Sequence, residues 1–363
     1  MKTKSKVLLA VGVSILMALP FVASLYFATP QKLPVTIDHP LLGKGMFEPH
    51  GYDAVKLYFE ENPQSRIDIK ELLWDPVSTD SVTFFRTALQ RETEFFITSM
   101  SSSMLTQSAH LFQDPGVLLL NLAATSSTLS EKDDFILRLI SDTAHEQEAI
   151  GHFVNTLPGG RLLVLQDAAN PGYTDTAYLY FMKELDKSGR WKVDHEKFIF
   201  KDFNPSALGA QMKQPYDALY ILGGNFQLNM GNIIQLFSKE HPNAPIILTP
   251  WARSNSVYQL AGPAVKNIII LSHYPAWDKA PDAAAYLARF QKRFGYQPLP
   301  IALALQQALE LLEQAFAAGH ETPESVKAFL LSQKELTTTV GKISFDKFGD
   351  AKQPLHPVFG HER

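Results

Sequence analysis

Cysteine is absent from the whole chain of 363 residues. Its absence excludes disulfides, thiol nucleophiles, thiolate metal sites and a lipid anchor on an N-terminal cysteine. Blocks of one charge are absent too: 33 Lys and Arg stand against 37 Asp and Glu, for a net charge of −4. Beyond the first few residues no basic run offers a surface for nucleic acid. There is no Gly-x-Ser-x-Gly elbow, no Gly-x-x-x-x-Gly-Lys phosphate cradle, and no Gly-x-Gly-x-x-Gly after the first strand-like run. Hydrolase, nucleotidase and dinucleotide readings therefore have no residues to carry them. His145 and His152 in "HEQEAIGH" are seven apart, not the four of a His-Glu-x-x-His zinc helix, so this segment reads as a solvated helix. "FDKFGD" lacks the dense oxygen ligands of a calcium loop. No catalysis, metal or cofactor is expected, and no fixed-period repeat or low-complexity tract appears.

The first thirty residues carry three lysines and then an apolar run of 22 residues from Val7 to Ala28, broken at Pro20. A positive stretch followed by an apolar core marks export. The run also approaches the ~20 residues that cross a bilayer, so residues 1–30 read as a signal peptide or a signal anchor. A cleaved signal gives a periplasmic protein, and an uncleaved one holds it at the inner membrane.

From Leu33 on, the pattern alternates short strand-like runs ("LPVTI", "IDIKELLW", "TEFFITS", "GVLLLNL", "RLLVLQD", "HEKFIF", "DALYILG", "APIILTP", "NIIILSH") with helical segments such as "SVTFFRTALQRE" and "DTAYLYFMKELDKSG". Continuous Leu, Ile and Val runs fit parallel strands covered on both faces, an α/β architecture. Nine such strands and a chain of this size favour two lobes. In "IALALQQALELLEQAFAAG" the apolar residues recur at helical spacing and Gly closes the segment as a C-cap.

Two strands end in small and hydroxyl residues. "TEFFITS" runs into "MSSSMLTQSAHLF" and "GVLLLNL" into "AATSSTLS". Ligands of open parallel sheets bind beyond the carboxyl ends of strands, where loops enter helix N-termini. Ser102 or Ser103 and Thr125 there offer O–H donors beside unpaired backbone N–H groups, a place suited to a carboxylate. Ala123 and Ala124 let a ligand approach the backbone. The competing reading is of ordinary helix N-caps.

The stretch "TSMSSSMLTQSAHLFQDPGVLLLNLAATSSTLS…FILRLISDTAHEQEAIGHFV" resembles the centre of the type I periplasmic binding proteins, in particular the leucine/isoleucine/valine-binding proteins of branched-chain amino-acid ABC importers. "VTIDHPLLGKGMFEPHGYDAVKLYFEEN" is similar to that family's first strand, glycine loop and helix. "NPGYTDTAYLYFMKELDKSG", "ALYILGGNFQLNMGNIIQLF", "YLARFQKRFGYQPLPIALALQQALELL" and "VGKISFDKFGDAKQP" resemble its later segments. The resemblance implies a two-lobed fold with a ligand cleft between parallel sheets, lobe 1 being residues 33–146 and 276–340 and lobe 2 residues 147–275 and 341–363. It implies ligand contacts from His50, Ser102, Ala123 and Thr125 on the first lobe and from Tyr173, Phe226 and Trp251 on the second. Ser102 and Thr125 keep the family spacing of 23 positions. Asp75 matches a structural acid. The loop "LTPWARSN" departs from the pattern: amino-acid binders carry an acid there for the ligand ammonium, and here Trp251 stands in its place. With Tyr173 and Phe226 it suits stacking on an apolar, aromatic or quaternary-ammonium group.

The expected protein is a monomer that captures a small, carboxylate-bearing or amino-acid-like solute and hands it to the membrane permease of an ABC importer. The alternative is a sensor or protein-interaction regulator with a diverged pocket, working with a membrane sensor.

Overall fold

The structure is a computed structural model. It describes residues 31–38, 50–72, 80–90, 93–223 and 229–362. The first sheet has five strands: β1 (Leu33–Asp38), β2 (Ile67–Leu72), β3 (Phe95–Thr98), β4 (Leu118–Asn121) and β5 (Ile136–Arg138), in the order β2-β1-β3-β4-β5. β1, β3, β4 and β5 run parallel, with Val35 opposite Phe95, Phe95 opposite Leu118 and Leu119 opposite Ile136. The helices α1 (His50–Glu61), α2 (Ser81–Leu89) and α3 (Ser102–Ser108) follow β1, β2 and β3. The Asp80 and Ser101 side chains cap α2 and α3 by accepting from backbone N–H groups in the first turn, as N-caps do.

The second sheet holds β6 (Gly160–Asp167), β7 (Trp191–Phe198), β8 (Ala218–Leu222), β9 (Ile246–Leu248), β10 (Ile268–Ser272) and β13 (His356–Phe359), in the order β13-β10-β9-β8-β6-β7. Only β13 is antiparallel, against β10. The apolar runs are explained by covering on both faces. Leu163, Leu165, Leu219 and Ile221 belong to one buried cluster, whereas Leu162, Val164, Tyr220 and Leu222 belong to another on the opposite side. Alternate residues of one strand thus enter two cores.

The helices of this half are α4 (Thr143–Val154), α5 (Pro171–Leu185), α6 (Pro205–Met212), α7 (Met230–Glu240) and α8 (Asn255–Ala261). The solvated helix expected at "HEQEAIGH" is instead half-buried: Glu146, Gln147, Ile150 and Val154 of α4 are inaccessible. α4 packs along α5, so its apolar side has a partner that its many charges conceal in the sequence. His145 contributes a ring nitrogen 3.1 Å from the Gln353 carbonyl, and no group of three metal-binding side chains occurs among the described residues.

After β10 come α9 (Ala284–Phe294), α10 (Pro300–Ala317) and α11 (Pro323–Ser332), which return to the first sheet. Phe316 of α10 meets Phe95 of β3 edge-on at 5.0 Å, and Arg289 and Arg293 of α9 pair with Glu61 and Glu60 of α1. Gly295 and Gly319 close α9 and α10 with φ of +82° and +87°, the left-handed cap only glycine adopts freely. A hairpin of β11 (Leu336–Thr338) and β12 (Gly341–Ile343) precedes the last strand, β13. The chain therefore passes between the sheets three times, after β5, after β10 and after β12.

Candidate functional site

The hydroxyl-rich loops lie side by side, because β3 and β4 are neighbours and both end at the same edge. Asp38, at the end of β1, accepts from Thr98 Oγ1 (2.6 Å), Ser99 N (2.7 Å) and Ser99 Oγ (3.1 Å), and so fixes where β3 ends. At the end of β4, Asn121 folds the next loop around its own amide. Its Oδ1 accepts from the N–H groups of Ala123 and Ala124, and its Nδ2 donates to the Ala124 carbonyl at 2.6 Å. That turn aims the backbone N–H groups of Thr125 and Ser126 at one point. Ser102 Oγ occupies it, 3.0 and 3.1 Å away.

The unpaired N–H groups expected here are thus paired, with a neutral hydroxyl whose own proton goes to no described group. Two convergent N–H donors form an anion-seeking nest. The loop after β4 enters a short 3-10 turn (Ser127–Leu129) rather than an α-helix, so the attraction comes from these N–H groups and not from a helix dipole. Thr125 is buried, and Thr143 at the start of α4 donates to its carbonyl (2.7 Å) and its hydroxyl (3.1 Å).

Across the cleft, the N-terminus of α5 meets that of α3. Ser103 Oγ lies 2.9 Å from Asn170 Oδ1 and accepts the Gly172 N–H at 3.0 Å. A Cβ on Gly172 would fall 2.6 Å from Ser103 Oγ and 2.9 Å from Ser103 Cα. Backbone cannot yield at that distance, so only glycine allows the lobes to come this close. Gly172→Val is expected to hold them apart and to weaken solute binding at least fivefold, while far-ultraviolet circular dichroism stays unchanged. Undiminished affinity in a calorimetric titration would show that this contact plays no part in closure.

Tyr173 and Trp251 converge on a residue the sequence did not mark. Glu146 of α4 is fully buried. Its Oε1 accepts from the Tyr173 hydroxyl and from Gln147 Nε2, and the Trp251 indole nearby favours its charged form. The Gln147 amide oxygen in turn accepts from Tyr220 at 2.7 Å. Glu146 Oε2 has no hydrogen-bond partner among the described residues and lies 3.7 Å from His273 Nε2, whose ring meets Trp251 edge-on at 5.6 Å. Burial drives both groups toward neutrality, raising the Glu146 carboxyl to about 7 and lowering the His273 imidazole to about 3.

His50 is held by residues far along the chain. Its Nδ1 accepts the Leu299 N–H at 3.1 Å, its ring meets Tyr296 edge-on, and burial lowers its pKa to about 4. It braces the entry to α10 in a neutral form and does not line the cavities below. Ala123 is fixed in the Asn121 turn through its N–H. Phe226 and Asp75 lie outside the described residues.

Arg253 was also missed, although it is a lone charge in the apolar stretch "ILTPWARSN". It lies in the loop after β9, held by Nη1 donation to Ser272 Oγ (2.9 Å) and to the Tyr274 carbonyl (2.7 Å). A cavity of about 30 Å3 is lined by Trp251, Arg253, His273 and Leu299. Another of about 60 Å3 lies on the Arg253, Trp277 and Leu299 side. A third, of about 350 Å3, is bounded by the passing segments through His273, Gln307, Gln353 and His356.

A sequence model described as periplasmic binding protein matches residues 78–360. The Leu/Ile/Val-binding protein homolog 1 of Brucella suis biovar 1 is 23% identical over 275 residues, which cover 74% of this chain and 72% of the relative. Among solved structures, the leucine binding protein LivK of Thermotoga maritima superposes with a TM-score of 0.73 at 20% identity, covering 89% of this chain and 93% of that one. A solute binding protein of an ABC transporter from R. palustris, in complex with benzoate, gives 0.73 at 15% identity, covering 89% and 91%.

Proposed function

The chain belongs to the periplasmic binding protein family, and from that premise we propose that it is exported and captures a small carboxylate-bearing solute between its lobes for an ABC importer. The observation that carries this reading is the pair of Thr125 and Ser126 N–H groups converging on Ser102 Oγ. Those two N–H groups hold the Ser102 hydroxyl oxygen as their acceptor, and the Ser102 and Thr125 hydroxyls then donate to the carboxylate in charge-assisted bonds, about twice as strong as neutral ones. Tyr173 and Trp251 supply area from the opposite lobe.

Capture then proceeds by hinge motion about the three passing segments. The solute favours the closed arrangement because only there does it touch both lobes. Two or three charge-assisted bonds of about 1.5–3 kcal/mol each, with aromatic burial, give an affinity near micromolar, about −8 kcal/mol. The relatives named for leucine, isoleucine and valine and the neighbour holding benzoate support a carboxylate as the common element. The double substitution Ser102→Ala with Thr125→Ala is expected to weaken a carboxylate solute at least tenfold in calorimetry. Unchanged affinity would remove the carboxylate from this site.

A further inference from the structure

Arg253 is a buried cation with no counter-ion among the described residues. The residue is 5% exposed, and among those residues its Nη2 has no hydrogen-bond partner. Nη1 is tied down by Ser272 and Tyr274, and the guanidinium plane lies over the Trp277 ring, 3.7 Å from its centroid. The group is therefore oriented as well as buried. Desolvation lowers its pKa to about 10, which leaves it charged at neutral pH. A charge taken from water without an opposite charge is costly, and such local costs concentrate where function needs them.

Arg253 lines two small cavities, of about 30 and 60 Å3, that share Arg253, Leu299 and Pro300. No acidic side chain among the described residues lines either one. A single water needs roughly 10–15 Å3, so this space accommodates a carboxylate group. Leu299, Pro300 and Ile301 give it apolar walls, against which a charge-assisted bond is little screened by solvent. Arginine's planar fork suits that occupant better than any other side chain does.

We propose that Arg253 is a specificity-determining residue that binds the second carboxylate of a dicarboxylate solute. The proposal rests on the capture of a first carboxylate at Ser102 and the Ala123–Ser126 loop. The second lobe then selects for negative charge at the solute's far end and against an ammonium.

The test is calorimetric titration of the purified protein with matched acids: glutarate beside valerate, adipate beside hexanoate, and terephthalate beside benzoate, with leucine as the zwitterion. At least one diacid is expected to bind tenfold or more tightly than its monoacid partner. Arg253→Gln should remove that advantage, lowering diacid affinity at least fivefold more than monoacid affinity. Should Arg253→Gln fail to fold, Arg253→Lys, which keeps the charge without the fork, is expected to cost the diacid at least fivefold. The assignment is overturned if leucine or a monoacid binds as tightly as every diacid, or if the Arg253 variants bind diacids like the parent. If Ser102→Ala with Thr125→Ala weakens monoacids while Arg253→Gln changes nothing, carboxylate capture stands and the role of Arg253 falls. If no carboxylate of either kind binds, both fall.

Discussion

Asp350→Ala lowers the unfolding free energy by about 3–5 kcal/mol, the cost of stranding one partner of a buried ion pair. Arg138 of β5 is 1% exposed, and both its Nε and an Nη approach Asp350 Oδ1. The other carboxylate oxygen accepts the Glu131 N–H at 2.9 Å. Backbone bonds run alongside: the Arg138 N–H donates to the Gly349 carbonyl, and the Ala351 N–H to the Arg138 carbonyl. The pair thus joins the last strand of the first sheet to the segment that leads back to the second. Removing Asp350 leaves the buried guanidinium without its ion-pair partner. Scanning calorimetry should register a fall of roughly 5–10 °C in Tm. Replacing both residues, as Arg138→Met with Asp350→Leu, should recover much of the loss, since no stranded charge remains. A loss below about 1 kcal/mol for Asp350→Ala would mean that water reaches Arg138.

The second large effect is a gain. Glu146→Gln is expected to stabilise the protein by about 3 kcal/mol at pH 8 and by less than about 1 kcal/mol at pH 5. The carboxyl titrates near 7 when folded and near 4.5 when unfolded. Between those values the folded state binds more protons, so the Glu146 contribution falls as pH rises. His273 acts oppositely. Its pKa drops from 6.5 to about 3, so the unfolded chain binds more protons in that interval and stability climbs with pH. From about pH 4.5 to 6.5 the two slopes oppose each other in the parent protein. Gln keeps an acceptor for the Tyr173 hydroxyl, and it removes the only charge in that cluster at pH 8. Urea unfolding at pH 5 and pH 8 decides the matter, and an equal change at both values would show that Glu146 ionises freely in the fold.

The sheets were legible because their residues obey one rule throughout. Runs such as "RLLVLQD" and "NIIILSH" are apolar without alternation, as strands between two helical layers must be, and they form β6 and β10. That Ser102 and Thr125 lie together was legible for a related reason: both directly follow adjacent parallel strands, and the two loops do touch. Their state was not legible, because Asn121 decides it by turning the Thr125 and Ser126 N–H groups onto Ser102. An Asn at a strand end gives no hint of that in one dimension. The residues missed altogether are buried polar groups on elements that look exposed. "HEQE" has the composition of a solvated helix, and only its packing on α5 puts Glu146 inside. Arg253 was overshadowed by Trp251, two positions before it, though a lone charge in an apolar loop was the available signal. His50, which the resemblance places at the ligand, has a further role that no local pattern announces: its Nδ1 accepts the N–H of Leu299, distant in sequence.

The most direct test of solute capture is thermal unfolding of the protein against leucine, isoleucine, benzoate, 3,4-dihydroxybenzoate and the diacids named above. A solute at 100 times its dissociation constant adds about 2.7 kcal/mol of stability. At least one carboxylate is predicted to raise Tm by several degrees in the parent and to do so far less when Ser102 and Thr125 are both alanine. A parent protein whose Tm no carboxylate moves, or an equal shift in the double variant, would contradict carboxylate capture at this site.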